Sequence, residues 1–381
     1  MTTAAGHRSF SERLARLNWA LITVLCAIAC IGVIMHFSVT DGSWAGMPLS
    51  HATRFGIILI VTLALAVVDV RLWLAIAYPL YTLSLLLLIA VELFGATRMG
   101  AQRWLDLGPI SMQPSEIMKI AIVLALARYY QGLLDSRRIK PDGLLATIIP
   151  LLMIGAPTAL IMHQPDLGTA LLVAGSGVGV MFLAGLKWRY IIPAAVFAVG
   201  GAIYAYFRVL HDYQRDRVNV FLGIENDPLG TGYHVLQSKI AIGSAGLFGH
   251  GYLQGPQSQL DFLPEKHTDF IFTMIVEEFG LLGAFVVLGL FAIALVLTMS
   301  TAMRSRTLFG RLAASGVAVT LGLYVFINTS MVIGLIPVVG IPLPLLSFGG
   351  TAMLTVMMGM AIVLSIHLHR ETSISSRGVL W

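Results

Sequence analysis

QLDFLPEKHTDFIFTMIVEEFG, residues 259–280, gathers Glu265, Lys266, His267, Thr268 and Asp269 into one polar knot and then turns at once into an apolar run that continues to about residue 299. The knot is the exception in this chain. Of the 381 residues, 57% are hydrophobic and 11% charged, against roughly 25% charged in soluble proteins. A membrane-spanning helix needs about 20 apolar residues, so the run that follows Asp269 reads as a span with charged side chains at its mouth.

Working outward from it, further apolar runs lie near 17–37, 51–68, 72–94, 115–130, 144–162, 167–186, 190–207, 312–336 and 342–366. Together they predict an all-α polytopic membrane protein of about ten transmembrane helices, a single integral-membrane domain over 1–381. Most of the 24 Lys and Arg residues fall on the face shared by the two termini. By the positive-inside rule that face is cytoplasmic, which makes 1–16 and 367–381 cytoplasmic tails and the protein a multi-pass resident of the cytoplasmic (inner) membrane. The first run is long enough to act as an anchor and lacks a convincing cleavage site. The net charge of +5 is the signature of such an anchor pattern, and the more acidic outer side argues against nucleic acid. Cys26 and Cys30, four apart on one helix, are badly placed for a disulfide and read as packing residues.

Between the seventh and eighth spans lies the one long loop, 208–268, on the extracytoplasmic side. Its mixture of apolar, polar and glycine residues suits short helices on the membrane surface. Span four supplies a second charged group. Pro114 fits a first helical turn, and Glu116 and Lys119 are then neighbours at i and i+3. They form a structural ion pair, a grip on an anionic lipid headgroup, or both. Arg103, beside Trp104 at the outer rim, is either an interfacial anchor or a bidentate partner for a pyrophosphate. Asp166 suits the cap of the sixth span.

Thr268 or Asp269 could cap span eight, but one cap needs one acceptor and leaves Glu265, Lys266 and His267 unexplained. Glu277 and Glu278 lie about 12 Å deeper than Asp269 on the same helix, at 1.5 Å rise per residue. A carboxylate at the water–lipid boundary can serve as a general base. Glu265, His267 and Asp269 alternate in a way that could touch an ion, yet no metal-binding signature is present; nor is any nucleotide-binding loop.

GAQRWLDLG (100–108), QPSEIMK (113–119), QPDLGTAL (164–171), FLPEKHTDFIF (262–272) and GLIPVVGIPLPLLSFGG (334–350), in this order across almost the whole chain, resemble the SEDS family of shape, elongation, division and sporulation proteins. QSQL at 257–260 and Lys266 are more similar to its RodA-like elongation branch. The resemblance implies a peptidoglycan glycosyltransferase that polymerises lipid II at the outer membrane face during elongation and rod-shape maintenance. It implies Asp269 as the catalytic residue, a general base for the acceptor hydroxyl. Substrate binding would fall to Arg103, Glu116, Lys119, Glu265, Lys266, His267 and Thr268, with Arg103, Lys119 and Lys266 facing the leaving pyrophosphate. A divalent cation, Mg or Mn, could share that charge; no nucleotide is implied. The implied partners are a class B penicillin-binding protein transpeptidase, other elongation-complex membrane proteins and membrane lipids. Two positions depart from the family pattern: Ser330 where glycine is usual and Phe348 where tyrosine is usual. The competing readings are a lipid II flippase, which would distribute polar groups through the bilayer midplane, and a non-catalytic scaffold that would tolerate loss of Asp269.

Overall fold

The computed structural model describes residues 10–98, 101–107, 110–136, 144–187, separated positions between 189 and 210, 212–224, 231–259 and 265–372. Most of the predicted seventh span, 190–207, and the tail segments 1–9 and 373–381 lie outside the described residues. In chain order the helices are α1 (Phe10–Ala15), α2 (Trp19–Val39), α3 (Met47–Ala66), α4 (Val70–Phe94), α5 (Pro114–Ser136), α6 (Leu144–His163), α7 (Leu167–Leu183), α8 (Asp212–Phe221), α9 (Thr231–Ser244), α10 (Pro256–Gln259), α11 (Ile271–Arg304), α12 (Leu308–Ile333) and α13 (Gly350–Leu368). Among the described residues eight helices are long and apolar enough to cross a membrane, with α7 a shorter apolar helix beside them. The protein is therefore an all-helical, multi-pass membrane protein.

Local chemistry sets the helix ends. Asn18 accepts from Leu21 N at 3.2 Å, Asp69 from Arg71 N at 2.8 Å and Thr307 from Gly310 N at 3.1 Å, each satisfying a first-turn donor. Helix α5 forms the centre, packed against α4, α7, α12 and α13. Every residue from Met118 to Ala127 is buried, so the helix is apolar all round apart from Lys119. Close packing here depends on small residues: a Cβ on Gly316 of α12 would come within 2.5 Å of the Val123 side chain of α5.

One element departs from the sequence expectation. In place of purely helical structure, AQRWLDL forms the middle strand of a three-stranded antiparallel sheet, β1 (Ala96–Arg98), β2 (Ala101–Leu107) and β3 (Ile110–Met112), between α4 and α5. Its alternation is too short to stand out beside the flanking apolar runs. The sheet carries Arg103 on β2.

Helix α11 is bent rather than straight. Its 34 residues would extend about 51 Å at 1.5 Å per residue, well beyond a hydrocarbon core of about 30 Å. Gly280, at φ 68° and ψ −163°, breaks it. The segment after α9 supplies the backbone partners that the break would otherwise leave bare. Leu281 N and Leu282 N donate to Gly246 O and Leu247 O at 3.1 and 3.2 Å, while His250 N and Gly251 N donate to Glu277 O and Glu278 O at 2.9 and 3.1 Å. A Cβ on either Gly249 or Gly280 would collide with the other strand of this junction. Glu277 and Glu278 lie buried in the last turn before the bend. Glu278 accepts from the Ser38 hydroxyl at the C-terminal end of α2, and Glu277 accepts from Gln257 N at 2.6 Å.

Candidate active site

The turn 265–270 is built on Glu265. Its carbonyl accepts from Thr268 N and Phe270 N at 3.2 and 3.3 Å, and its carboxylate from the Thr268 hydroxyl at 2.7 Å. Three successive carbonyls of the turn are then pinned from outside. His267 O accepts from Phe348 N at 2.8 Å, Thr268 O from the Ser347 hydroxyl at 2.6 Å, and Asp269 O from the Asn328 amide at 2.8 Å. The same Asn328 nitrogen donates to Ile341 O at 2.7 Å, and Ser347 accepts from Leu343 N at 2.8 Å. The segment 341–348 is thus laced to the turn, and Asp269 is held by its main chain.

This arrangement leaves the Asp269 side chain free of a structural duty. The first residue position of α11 has no side-chain cap, so neither Thr268 nor Asp269 plays the capping role that the sequence allowed. The carboxylate faces Gly340, where a Cβ would lie 3.5 Å from Oδ2. Burial, reinforced by the charge of Glu265 and opposed by Arg217 of α8, raises the Asp269 pKa to about 6. A carboxyl tuned close to neutrality is the form in which it works best as a general base.

A second charged group lies at the start of α5. Lys119, 1% exposed, donates to Glu116 at 2.6 Å and to the Tyr324 hydroxyl of α12, and its ammonium lies 4.8 Å from the Tyr324 ring centre. A lysine buried in a membrane bundle requires such partners. Arg103 donates to Pro165 O at 2.9 Å and stands 3.8 Å from the Asp166 carboxylate. Asp166 caps α7 through Thr169 N at 3.1 Å, as its spacing predicted, and accepts from Gln113 at 3.0 Å. Glu116 Oε2 and Arg103 Nε are buried with no hydrogen-bond partner.

The two groups meet through α12 and the segment 338–341. Tyr324 and Asn328 are four apart on α12 and share a face, one reaching Lys119 and the other Asp269. A Cβ on Gly168, beside Asp166, would lie 2.7 Å from Val339 O, while the next residue, Gly340, abuts Asp269.

Of the predicted knot, Glu265, Thr268 and Asp269 form one unit. His267 turns its ring toward Phe348, 6.3 Å away edge-on, and Phe348 also carries Arg54 at 4.9 Å. Phe348 acts there as an apolar platform between the two. Ser330 is buried and its carbonyl accepts from Leu335 N at 2.8 Å in the cap of α12. Lys266 is half-buried beside Glu265. Among the described residues no three His, Cys, Asp or Glu side chains converge to hold a metal, so Glu265, His267 and Asp269 do not form a cage. Sequence reading missed Asn328, Tyr324, Ser347 and Arg217. A buried Asn and a buried Tyr inside an apolar span were visible signals; Ser347 and Arg217 gave none.

A helical bundle with a buried lysine, a pinned carboxylate and polar loops gathered at one end defines a polytopic membrane protein with an ionisable site at its surface end. The family described as Cell cycle protein, covering FtsW, RodA and SpoVE, matches residues 13–372, and the chain belongs to that family. It is 44% identical over 371 residues to the peptidoglycan glycosyltransferase MrdB of Escherichia coli (strain K12), covering 97% of this chain and 98% of the relative. It is 34% identical over 367 residues to a probable peptidoglycan glycosyltransferase FtsW of Trichlorobacter lovleyi, covering 93% and 94%. Among solved structures, a chain of a peptidoglycan synthase complex superposes with a TM-score of 0.78 at 32% identity, covering 94% of this chain and 99% of that one. The Rod shape determining protein RodA of Thermus thermophilus superposes with a TM-score of 0.70 at 29% identity, covering 94% and 98%.

Proposed function

We infer that this chain is a peptidoglycan glycosyltransferase of rod-shape elongation, polymerising lipid II at the outer face of the cytoplasmic membrane. The observation that carries the mechanism is the pinned Asp269 turn, whose carboxylate is raised toward neutrality and spared any capping role. In the reaction, Asp269 takes the proton of the acceptor sugar's 4-hydroxyl as that oxygen bonds to the donor's anomeric carbon. The donor's bond to its diphosphate breaks, and the polyprenyl diphosphate leaves with the electron pair. General-base catalysis of this kind contributes about 10²–10⁴-fold. Arg103, Lys119 and Lys266 are assigned to the charge that develops on the leaving diphosphate, an electrostatic role that gains strength in a water-poor site. Glu116 holds Lys119 in place, and Glu265 with Thr268 shapes the turn.

A divalent cation would be carried by the substrate's phosphate oxygens rather than by a protein cage, and no step here is routed through one. We place both termini in the cytoplasm, and the chain beside a class B penicillin-binding protein transpeptidase that cross-links the new strand. Purified protein with that partner and lipid II, assayed for glycan polymer, tests the reading: polymer supports it. Its absence from a folded complex would refute it.

A further inference from the structure

Condensing two lipid-linked saccharides brings two diphosphates to one base, and only one of them leaves. In the Arg103 and Lys119 group Lys119 is buried, Arg103 is half-buried, and both already engage carboxylates, Asp166 at 3.8 Å and Glu116 at 2.6 Å. The second diphosphate needs a cationic surface elsewhere, within a saccharide's reach of Asp269.

A cavity of about 190 Å³ lies between α8, α9 and the turn 334–338, with Arg217 and Lys239 in its wall and Val220, Phe221, Leu236 and Pro337 around them. On such a scale one water needs about 10–15 Å³, so the space suits a polyatomic anion. No acidic residue lines it among the described residues. Its rim is apolar and open: Phe221 is 42% and Leu236 55% exposed, the pattern of helices that lie in a lipid interface. Gly334, at φ 78°, leaves room for the Lys239 side chain to pass directly over its Cα, where any Cβ would collide with it. A cationic wall behind an apolar rim is the complement of a diphosphate attached to a polyprenyl chain.

Three consecutive residues fix the cavity relative to the rest of the site. Val338 O accepts from Arg217 Nη1 at 3.1 Å, Val339 O lies against Gly168 beside Asp166, and Gly340 abuts the Asp269 carboxylate. The two cationic groups therefore flank one short segment, with the base at its far end. We propose that the Arg217–Lys239 cavity binds the diphosphate of the acceptor lipid, the one that stays bonded, while the Arg103–Lys119 group serves the diphosphate that leaves. The assignment follows from exposure: Lys239 is open to solvent and suited to holding a charge that does not change, whereas Lys119 is fully buried, where a developing charge is stabilised most.

The proposal rests on the glycosyltransferase reading, and its test is separable from it. Full-length Asp269→Asn protein in detergent, with Lys239 native or changed to Gln or Arg, is titrated with undecaprenyl diphosphate and with uncharged undecaprenol, and bound lipid is counted by native mass spectrometry. The native-Lys239 protein is expected to take up two diphosphate lipids. Lys239→Gln should lose one of them, its affinity falling about tenfold, Lys239→Arg should regain it, and undecaprenol uptake should be the same in all three. Two diphosphate lipids bound with unchanged affinity by Lys239→Gln would overturn the subsite, even in an active polymerase. Equal loss of undecaprenol would overturn it too, by showing a change in apolar packing. Polymer formation by the otherwise native chain is scored separately and decides only the underlying activity.

Discussion

Asn328 bonds Asp269 through the main chain: its side-chain nitrogen donates to the Asp269 carbonyl at 2.8 Å and to the Ile341 carbonyl at 2.7 Å. One buried amide on α12 thereby fixes both the proposed base and the segment whose Gly340 faces the base's carboxylate. Truncation to alanine strands two buried acceptors, each costing about 1–3 kcal/mol, and lets the turn drift. Asn328→Ala should insert into the membrane yet lose about 10²-fold in kcat, the order expected of a misplacement near 1 Å. Glycan polymerisation by protein that passes size-exclusion chromatography checks this.

The pH dependence follows from the same turn. Asp269 must be ionised to accept a proton, so kcat/KM should rise through about pH 6 and then level off. Glu265→Gln removes a charge that raises this pKa and should move the acid limb to lower pH. Arg217→Gln removes an opposing charge and should move it higher. For stability the sign is reversed. Between the ordinary value of 3.8 and about 6 the folded state binds more protons than the unfolded one, so this group's contribution falls as pH rises through that window. Rate profiles of the three proteins decide the matter.

Lys119 tests the cost of burying charge. Tyr324→Phe removes one acceptor from a fully buried ammonium and should destabilise the protein by about 1–3 kcal/mol, read as a lower Tm in detergent. Replacing Glu116, Lys119 and Tyr324 together by Gln, Met and Phe should recover much of that loss, because no unpaired charge remains. The triple variant should still make no polymer.

At the bend of α11, Gly249→Ala sets a Cβ against the Glu278 backbone from a φ of +77°. Strain at such a position is of order 1–3 kcal/mol. The junction of 246–251 with Gly280 should open, making the loop sensitive to protease while the spans stay intact.

Particular residues explain what the sequence could and could not tell. Asp269, Glu116 and Lys119 were legible because charge at or within an apolar run is costly and therefore conspicuous. The eight long spans were legible from length alone. The bend at Gly280 was not, because a lone glycine inside a long apolar run does not by itself mark a break and the backbone that completes the junction lies some thirty residues upstream. Arg217 falls in the long loop 208–268, where nothing local distinguishes it. Its place opposite Asp269 depends on how α8 folds back over the 334–340 segment, a long-range arrangement with no local signature. Ser347 likewise matters through Thr268, far away in the chain.

The most direct measurement is lipid II polymerisation by the purified complex carrying Asp269→Asn, beside the native protein at matched folding and partner occupancy. With Asp269 as the base, the variant should give no glycan polymer at neutral pH and the native chain should give normal polymer. Polymer of native length and rate from Asp269→Asn would contradict this assignment, and the base would have to be sought elsewhere in the bundle.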